Sequence, residues 1–348
     1  NNGIPDADEG NSTITSYGSG PAVQVGSMTQ VVTLGTIGTG DMAYGLVNRG
    51  VILGDGVYDG VSATGLRLGL DGGQAVTLTG GLRNAGSISA FADEARATAI
   101  IVSGSTDVGR LINEGVIISL STSQGDFDAF GLDIGAGATL SELNNSGVIQ
   151  AIVRGETGDA YAIRDASGTL TSITNTGAIN AAHSAEDDDP VTGRAVAIDV
   201  SANTTGVTVL QDVVGADLDD PTINGEILFG SGADLLDVRD GLVTGDVSFG
   251  AGADTLSITG GAQVRGAITD SDGQLQVNVT NGILDARQSG PTTISGLNIG
   301  ADGDLIVTVD PGSATAGGFI VNGTADVATG AGLGVRFTSL VNDPTRFV

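Results

Sequence analysis

Apolar and polar positions alternate with period two along most of this chain. Runs such as Ala97-Thr98-Ala99-Ile100-Ile101-Val102, Ala195-Val196-Ala197-Ile198-Asp199-Val200 and Leu305-Ile306-Val307-Thr308-Val309 are short, rich in β-branched residues and bounded by Gly or Asn. That pattern predicts strand, turn, strand. No stretch carries a 3.6-residue period with caps, so almost no helix is expected. Above the short alternation runs a longer beat. The phrase Asn-x-Gly-x-Ile occurs at Asn48–Ile52, Asn84–Ile88, Asn113–Ile117, Asn145–Ile149 and Asn175–Ile179, with steps of 36, 29, 32 and 30 residues. A unit of similar but unfixed length marks a stacked repeat.

Each unit holds the phrase, a polar stretch with an Ala-rich apolar run, and a Leu/Ile alternation that leads to the next Asn. Leu111-Ile112 before Asn113 and Leu170-Thr171-Ser172-Ile173 before Asn175 are examples of the last piece. Three short strands per unit predict an all-β fold, a right-handed parallel β-helix (β-solenoid) forming a single elongated body. Each coil would advance by roughly 4.8 Å, one strand spacing. Ile52, Ile88, Ile117, Ile149 and Ile179 should then stack as one internal aliphatic ladder. Glycine is expected at the corner to supply positive φ. Asn tolerates that region too, and its amide can bond the equivalent Asn one coil away. The ladder is therefore expected to be structural rather than catalytic.

Four stretches follow along the chain. Residues 1–40 are Gly/Ser/Thr-rich and form a lead-in or cap. Residues 41–210 carry loop-bearing coils of about 30 residues. Residues 211–290 tighten to slim coils: Gly230-Ser231-Gly232-Ala233-Asp234-Leu235 returns as Gly250-Ala251-Gly252-Ala253-Asp254-Thr255-Leu256, a step of 20. Residues 291–348 continue the alternation as the end of the helix.

Composition narrows the function. Hydrophobic residues at 40% suffice for a core, which must be aliphatic because aromatics are 3% and Trp is absent. Gly at 58 of 348 without a three-residue period excludes collagen. The net charge is −28, with 41 acidic residues against 13 basic ones, all of them Arg. Such a balance argues against nucleic acid and anionic lipid as partners, favours solubility, and attracts divalent cations. Zero Cys removes disulfides, thiol catalysis and thiolate metal sites. The polar, acidic opening Asn1–Gly10 is no signal peptide, and no apolar run approaches a spanning helix. A cytosolic protein or a processed, mature chain is expected.

Candidate chemistry is sparse. Gly-x-Gly-x-Asp-x-Leu at Asp234 and Asp254 is similar to the calcium-binding nonapeptide, although such arrays repeat every nine residues. Gly135-Ala136-Gly137-Ala138-Thr139-Leu140 keeps the glycines without the acid, so the turn is the shared requirement and calcium an option at Asp234 and Asp254. The run Glu186-Asp187-Asp188-Asp189, in the largest loop, offers carboxylates for a weak ion site but no cage. The one histidine, His183, adjoins that run and is expected to be solvated; no Gly-x-Ser-x-Gly elbow accompanies it. A polysaccharide-active β-helix would need grouped carboxylates, an Arg or Lys base and aromatic platforms. Arg154, Arg164 and Arg194 lie near the long loops, but there is no Trp or Lys and only 4 Tyr. No phosphate loop is present: the glycines recur at turns without Gly-Lys-Ser/Thr.

With these residues in view, the chain resembles the passenger domains of bacterial autotransporters (type V secretion), of the alphaproteobacterial type, over residues 41–348. The resemblance rests on the Asn-x-Gly-x-Ile units, on Gly245-Asp246-Val247-Ser248-Phe249-Gly250-Ala251-Gly252-Ala253-Asp254, and on the tail from Gly323 through Arg336-Phe337-Thr338-Ser339-Leu340 to Phe347. It implies an N-terminal secretion signal and a C-terminal outer-membrane barrel, neither of which lies in this sequence. Membrane attachment is thus expected only through such a barrel.

The resulting expectation is a non-enzymatic passenger, extracellular or on the bacterial cell surface and associated with the outer membrane. It would act in adhesion, aggregation or a surface coat. Its partners would be a cell surface, a matrix or a second copy in a homo-oligomer, with no cofactor required and calcium as an option. A self-assembling lattice or filament subunit, calcium-dependent or not, and a polysaccharide-active enzyme are the alternatives.

Overall fold

The computed structural model describes residues 12–122, 124–185 and 190–340. The strands of these residues lie in two sheets, one of 24 strands and one of nine. Among the described residues the pairing is parallel, apart from Val309–Asp310 against Thr315–Ala316 and an isolated bridge between Ile37 and Tyr44. Strands pair with their counterparts one coil away rather than with their chain neighbours. Val116–Thr122, for instance, lies between Ser87–Asp93 and Val148–Arg154 in unbroken register. This is a parallel β-helix. The 3-10 turn Gly40–Met42 is the only helical element among the described residues.

Contacts group the chain into two compact units. The first comprises Asn1–Leu140, Gly147–Ala160 and His183–Arg194. From Ser12 its first two coils have four strands each: Thr13–Tyr17 pairs with Val51–Asp55, Val23–Val25 with Ala63–Leu68, Val32–Leu34 with Val76–Leu78, and Leu46–Asn48 with Leu82–Asn84. The last two merge into one strand, Thr106–Asn113, in the next coil. Ile52, Ile88, Ile117 and Ile149 are successive register partners and are buried, which forms the expected aliphatic ladder. Beside it, Asn48 Nδ2 donates to Asn84 Oδ1 and Asn84 Nδ2 to Asn113 Oδ1, each at 2.8 Å.

The expected reason for the corner glycines does not hold. Gly50, Gly86, Gly115 and Gly147 are not in the left-handed region, and neither are the asparagines of the phrase; among the described residues the non-glycine residues with positive φ are Val57, Glu94 and Ala314. Glycine is required by close approach instead. A Cβ on Gly86 would overlap the Gly50 carbonyl oxygen, one on Gly115 that of Gly86, and one on Gly147 that of Gly115. The same carbonyls accept the N–H of the residue after the next glycine, as Gly86 O does from Val116 at 2.8 Å. A side chain there would push consecutive coils apart and break that bond.

The second unit comprises Ser141–Ser146, Tyr161–Ala182 and Ala195–Val348. Asn145 Nδ2 donates to Asn175 Oδ1 at 2.8 Å, and Asn175 Nδ2 reaches Gln211 Oε1 at 3.4 Å. Gln211 is the register partner of Asn175, so it fills the asparagine slot where the sequence phrase lapses. Ile179 pairs with Ile223, and Val243, Val264, Leu284 and Leu305 succeed it at steps of 20 or 21 residues. Phe229 and Phe249 stack face to face inside, with centroids 5.1 Å apart.

Candidate recognition surface and the acidic corner

In the first unit the turns that leave the strands Val51–Asp55, Ser87–Asp93, Val116–Thr122 and Val148–Arg154 are stitched to one another. Gly60 N–H donates to Asp93 O, and Glu94 N–H to Thr122 O. Gln124 N–H donates to Glu94 Oε1, Asp159 N–H to Asp128 Oδ1, and Arg194 N–H to Asp159 Oδ1, at 2.8–3.0 Å. Carboxylates here accept backbone N–H groups that the sheet ladder leaves free at a corner, the pairing such groups require. Arg96 bridges to Asp128 at 3.2 Å and covers the Phe130 ring.

Two turns in this row hold a non-glycine residue at positive φ, at Val57 and at Glu94, and the β-branched Val57 carries the greater strain. Val57 has φ +63°, a value that costs a β-branched residue about 1–3 kcal/mol to hold. Five hydrogen bonds fix the turn, the Gly60 N–H to Asp93 O bond among them. Val57 N–H donates to Asp55 Oδ1 at 3.0 Å. Gly56 N–H donates to Phe91 O, Tyr58 N–H to Gly56 O and Val61 N–H to Tyr58 O. The turn is over-determined, and it presents apolar groups outward: Val57 is 45% and Tyr58 75% exposed. In the same row Phe127 is 38% exposed. Asp55 and Asp59 bracket Val57 and Tyr58 in the sequence, and Asp126 precedes Phe127. The turn stands outside the repeated phrase, yet it has a signal of its own: Asp55-Gly56 and Asp59-Gly60 are a double turn mark around two bulky residues.

In the second unit Asp234 and Asp254 stand at successive corners and are buried, 2% and 1% exposed. Asp234 Oδ1 accepts the Val207 N–H at 2.7 Å, and Asp254 Oδ1 accepts the Asp234 N–H at 2.8 Å. The Oδ2 atom of each is buried without a partner. Burial, with Asp254 nearby, pushes Asp234 up to about 6 against the Val207 N–H that lowers it. Asp254 is also raised, by burial and then by Asp270 and Asp272. The Gly-x-Gly-x-Asp motif thus places its carboxylates as coil-to-coil acceptors. Close approach again accounts for a glycine: a Cβ at Gly250 would overlap the Gly230 carbonyl oxygen.

Glu186, Asp187, Asp188 and Asp189 lie outside the described residues. Among the described residues no group of three or more His, Cys, Asp or Glu side chains is arranged to hold a metal ion. His183 is not in a loop but near the end of the strand Ala178–Ser184, part-buried, with Nε2 2.9 Å from the Gly158 carbonyl. That nitrogen must carry the hydrogen the carbonyl accepts, and Nδ1 is buried without a partner. Among the described residues no carboxylate orients the ring, so they do not assemble the geometry of a hydrolase base. Arg154 ends its strand exposed, and Arg164 rests on the Tyr161 ring at 5.7 Å.

At the last described coil, Gly318–Val327 and Gly332–Phe337 both pair with Pro291–Asp310. Their side chains include exposed Ile320, Val327, Leu333, Val335 and Phe337.

No protein-family model, curated protein or solved structure matches the chain.

Proposed function

We propose that this protein is a non-enzymatic β-helical recognition protein, secreted or displayed on a bacterial surface as an autotransporter passenger is. Its stitched corner turns would be its contact surface. The observation that carries this reading is the Asp55–Val61 turn. A β-branched residue held at positive φ by a network of hydrogen bonds, presenting Val57 and Tyr58 to solvent, is strain that the fold does not need. Backbone strain of this kind clusters at sites of contact, and exposed tyrosine on a rigid turn is a typical interface anchor. The flanking carboxylates favour a partner surface with basic character.

The test is binding of the labelled chain to intact cells and to immobilised matrix proteins, with Tyr58→Ala and Phe127→Ala beside the wild type. Affinity is expected to fall by about 30-fold for Tyr58→Ala, the loss of an anchor worth about 2 kcal/mol. The thermal midpoint should not move, because the side chain is exposed. Binding to no surface, or binding indifferent to both substitutions, would reject the reading.

Self-association is a second reading, favoured by the exposed apolar side chains of Gly318–Val327 and Gly332–Phe337. Exposed apolar side chains grouped on neighbouring strands favour contact with a second copy. Sedimentation with and without chelator decides it: a chain that stays monomeric at high concentration would exclude it, and loss of assembly on chelation would make it cation-dependent.

A further inference from the structure

We propose that Asp234 and Asp254 form a buried proton-binding corner, so that the short coils of the second unit take up a proton on folding and are more stable in mildly acidic than in neutral solution. Each carboxyl uses Oδ1 to accept a backbone N–H from the coil before it, and each leaves Oδ2 enclosed by protein without a partner. An ionised carboxylate with one bare, buried oxygen is costly, and two stacked at successive corners are more so. The groups that face them add no compensation. On the preceding coil stands Asn203, whose Oδ1 is engaged by the Thr205 and Gly206 N–H groups. On the following one stand Asp270 and Asp272, which bear on Asp254 with like charge. The Asp270 Oδ1 atom is itself buried without a partner.

A proton is the ligand that fits. Calcium needs about six to eight oxygens in a shell of its own, whereas these two carboxyls are almost fully enclosed and belong to no metal-holding cluster among the described residues. A proton needs one lone pair, and Oδ2 of Asp234 supplies it. The proton comes from solvent, and its arrival removes one negative charge from the corner while Oδ1 keeps its N–H bond.

The sign follows from the environment of the carboxyl. An ordinary Asp titrates near 3.8, and burial first, then Asp254, raise Asp234 to about 6. Between those two values the folded chain holds a proton that the unfolded chain has released. Stability from this corner is therefore full below the lower value and is lost as pH rises through the upper one. Asp285 acts in the opposite sense and lower down: burial raises it, but Arg287 and Arg336 outweigh burial and hold it below its ordinary value. Its contribution falls away only as pH drops beneath the carboxylate range, outside this window.

The experiment is a carboxyl carbon NMR titration of the full chain, paired with unfolding curves at about pH 5 and about pH 7.5 for wild type, Asp234→Asn and Asp219→Asn. The Asp234 signal should titrate at about 6. The wild-type unfolding constant should rise between the two pH values by on the order of tenfold. Asp234→Asn keeps the Oδ1 acceptor, so it should be more stable than wild type in the less acidic buffer and lose most of that pH dependence. Asp219→Asn, at an exposed position, should keep it. An Asp234 midpoint at or below the ordinary carboxylate value would overturn the proposal, and so would an Asp234→Asn chain as pH-sensitive as wild type. Calcium chloride forms the last arm: stabilisation of wild type that Asp234→Asn abolishes would make the corner a cation site and overturn the proposal as well.

Discussion

At Asn84 every hydrogen-bonding position of the amide is in use. Nδ2 donates to Asn113 Oδ1 and to the Val116 carbonyl, while Oδ1 accepts from Asn48 Nδ2 and from the Gly86 N–H. The side chain is wholly buried. Replacing it by alanine takes one partner each from Asn48 Nδ2, Asn113 Oδ1 and the Val116 carbonyl, buried hydrogen bonds that contribute about 1 kcal/mol each. Asn48 has a partner amide on one side only among the described residues and is less deeply buried, so its loss breaks one amide-to-amide contact instead of two. Asn84→Ala is expected to destabilise the chain by about 3 kcal/mol and Asn48→Ala by about half as much. Equal midpoints for the two variants in denaturant would show that the amides act singly rather than as a ladder. The residue was legible in the sequence because it recurs in a fixed phrase. Its substitute, Gln211, was not, because a one-off residue in the same slot leaves no pattern behind.

At the scale of the coil, the alternation of apolar positions was enough to predict three strands and their inward faces. The purpose of the corner glycine was not. Its necessity comes from the carbonyl of a residue one coil away, a distance in sequence that no local pattern expresses. Gly115→Ala should therefore cost about 3 kcal/mol by overpacking against the Gly86 carbonyl, although its φ is ordinary. Gly290→Ala, where a Cβ would meet nothing within 4 Å, should change stability by less than about 0.5 kcal/mol. Similar losses for both would refute the contact argument, and thermal midpoints suffice to see it. The last described coil is held differently: Arg336 reaches Asp285, with Nε 3.1 Å from Oδ1, and Arg287 meets the same carboxylate at 2.8 Å. Here a buried charge is paired on two sides, unlike the corner at Asp234.

For the molecule as a whole, the excess of acid takes on a second meaning beside solubility. Asp128, Asp159, Asp234, Asp246, Asp254 and Asp272 each accept a backbone N–H from another coil. Composition gave the net charge but not this use of it, since whether an Asp faces water or a neighbouring N–H depends on the stacking. The proposed contact surface was partly legible. That recognition would lie in what interrupts the repeat followed from the uneven steps between asparagines, but the strained turn at Val57 shows only in backbone angles. Those uneven steps have a practical consequence. Coils of 29 to 36 residues keep the same amide spacing, so the length of a corner turn is uncoupled from the register of the strands. The turns behave as exchangeable cassettes on a fixed rack. A Gly/Ser segment spliced between Tyr58 and Asp59 should be accommodated at about 0.6 kcal/mol per doubling of turn length. The same segment placed between Ser119 and Leu120 should abolish folding, and circular dichroism of the two grafts would tell them apart.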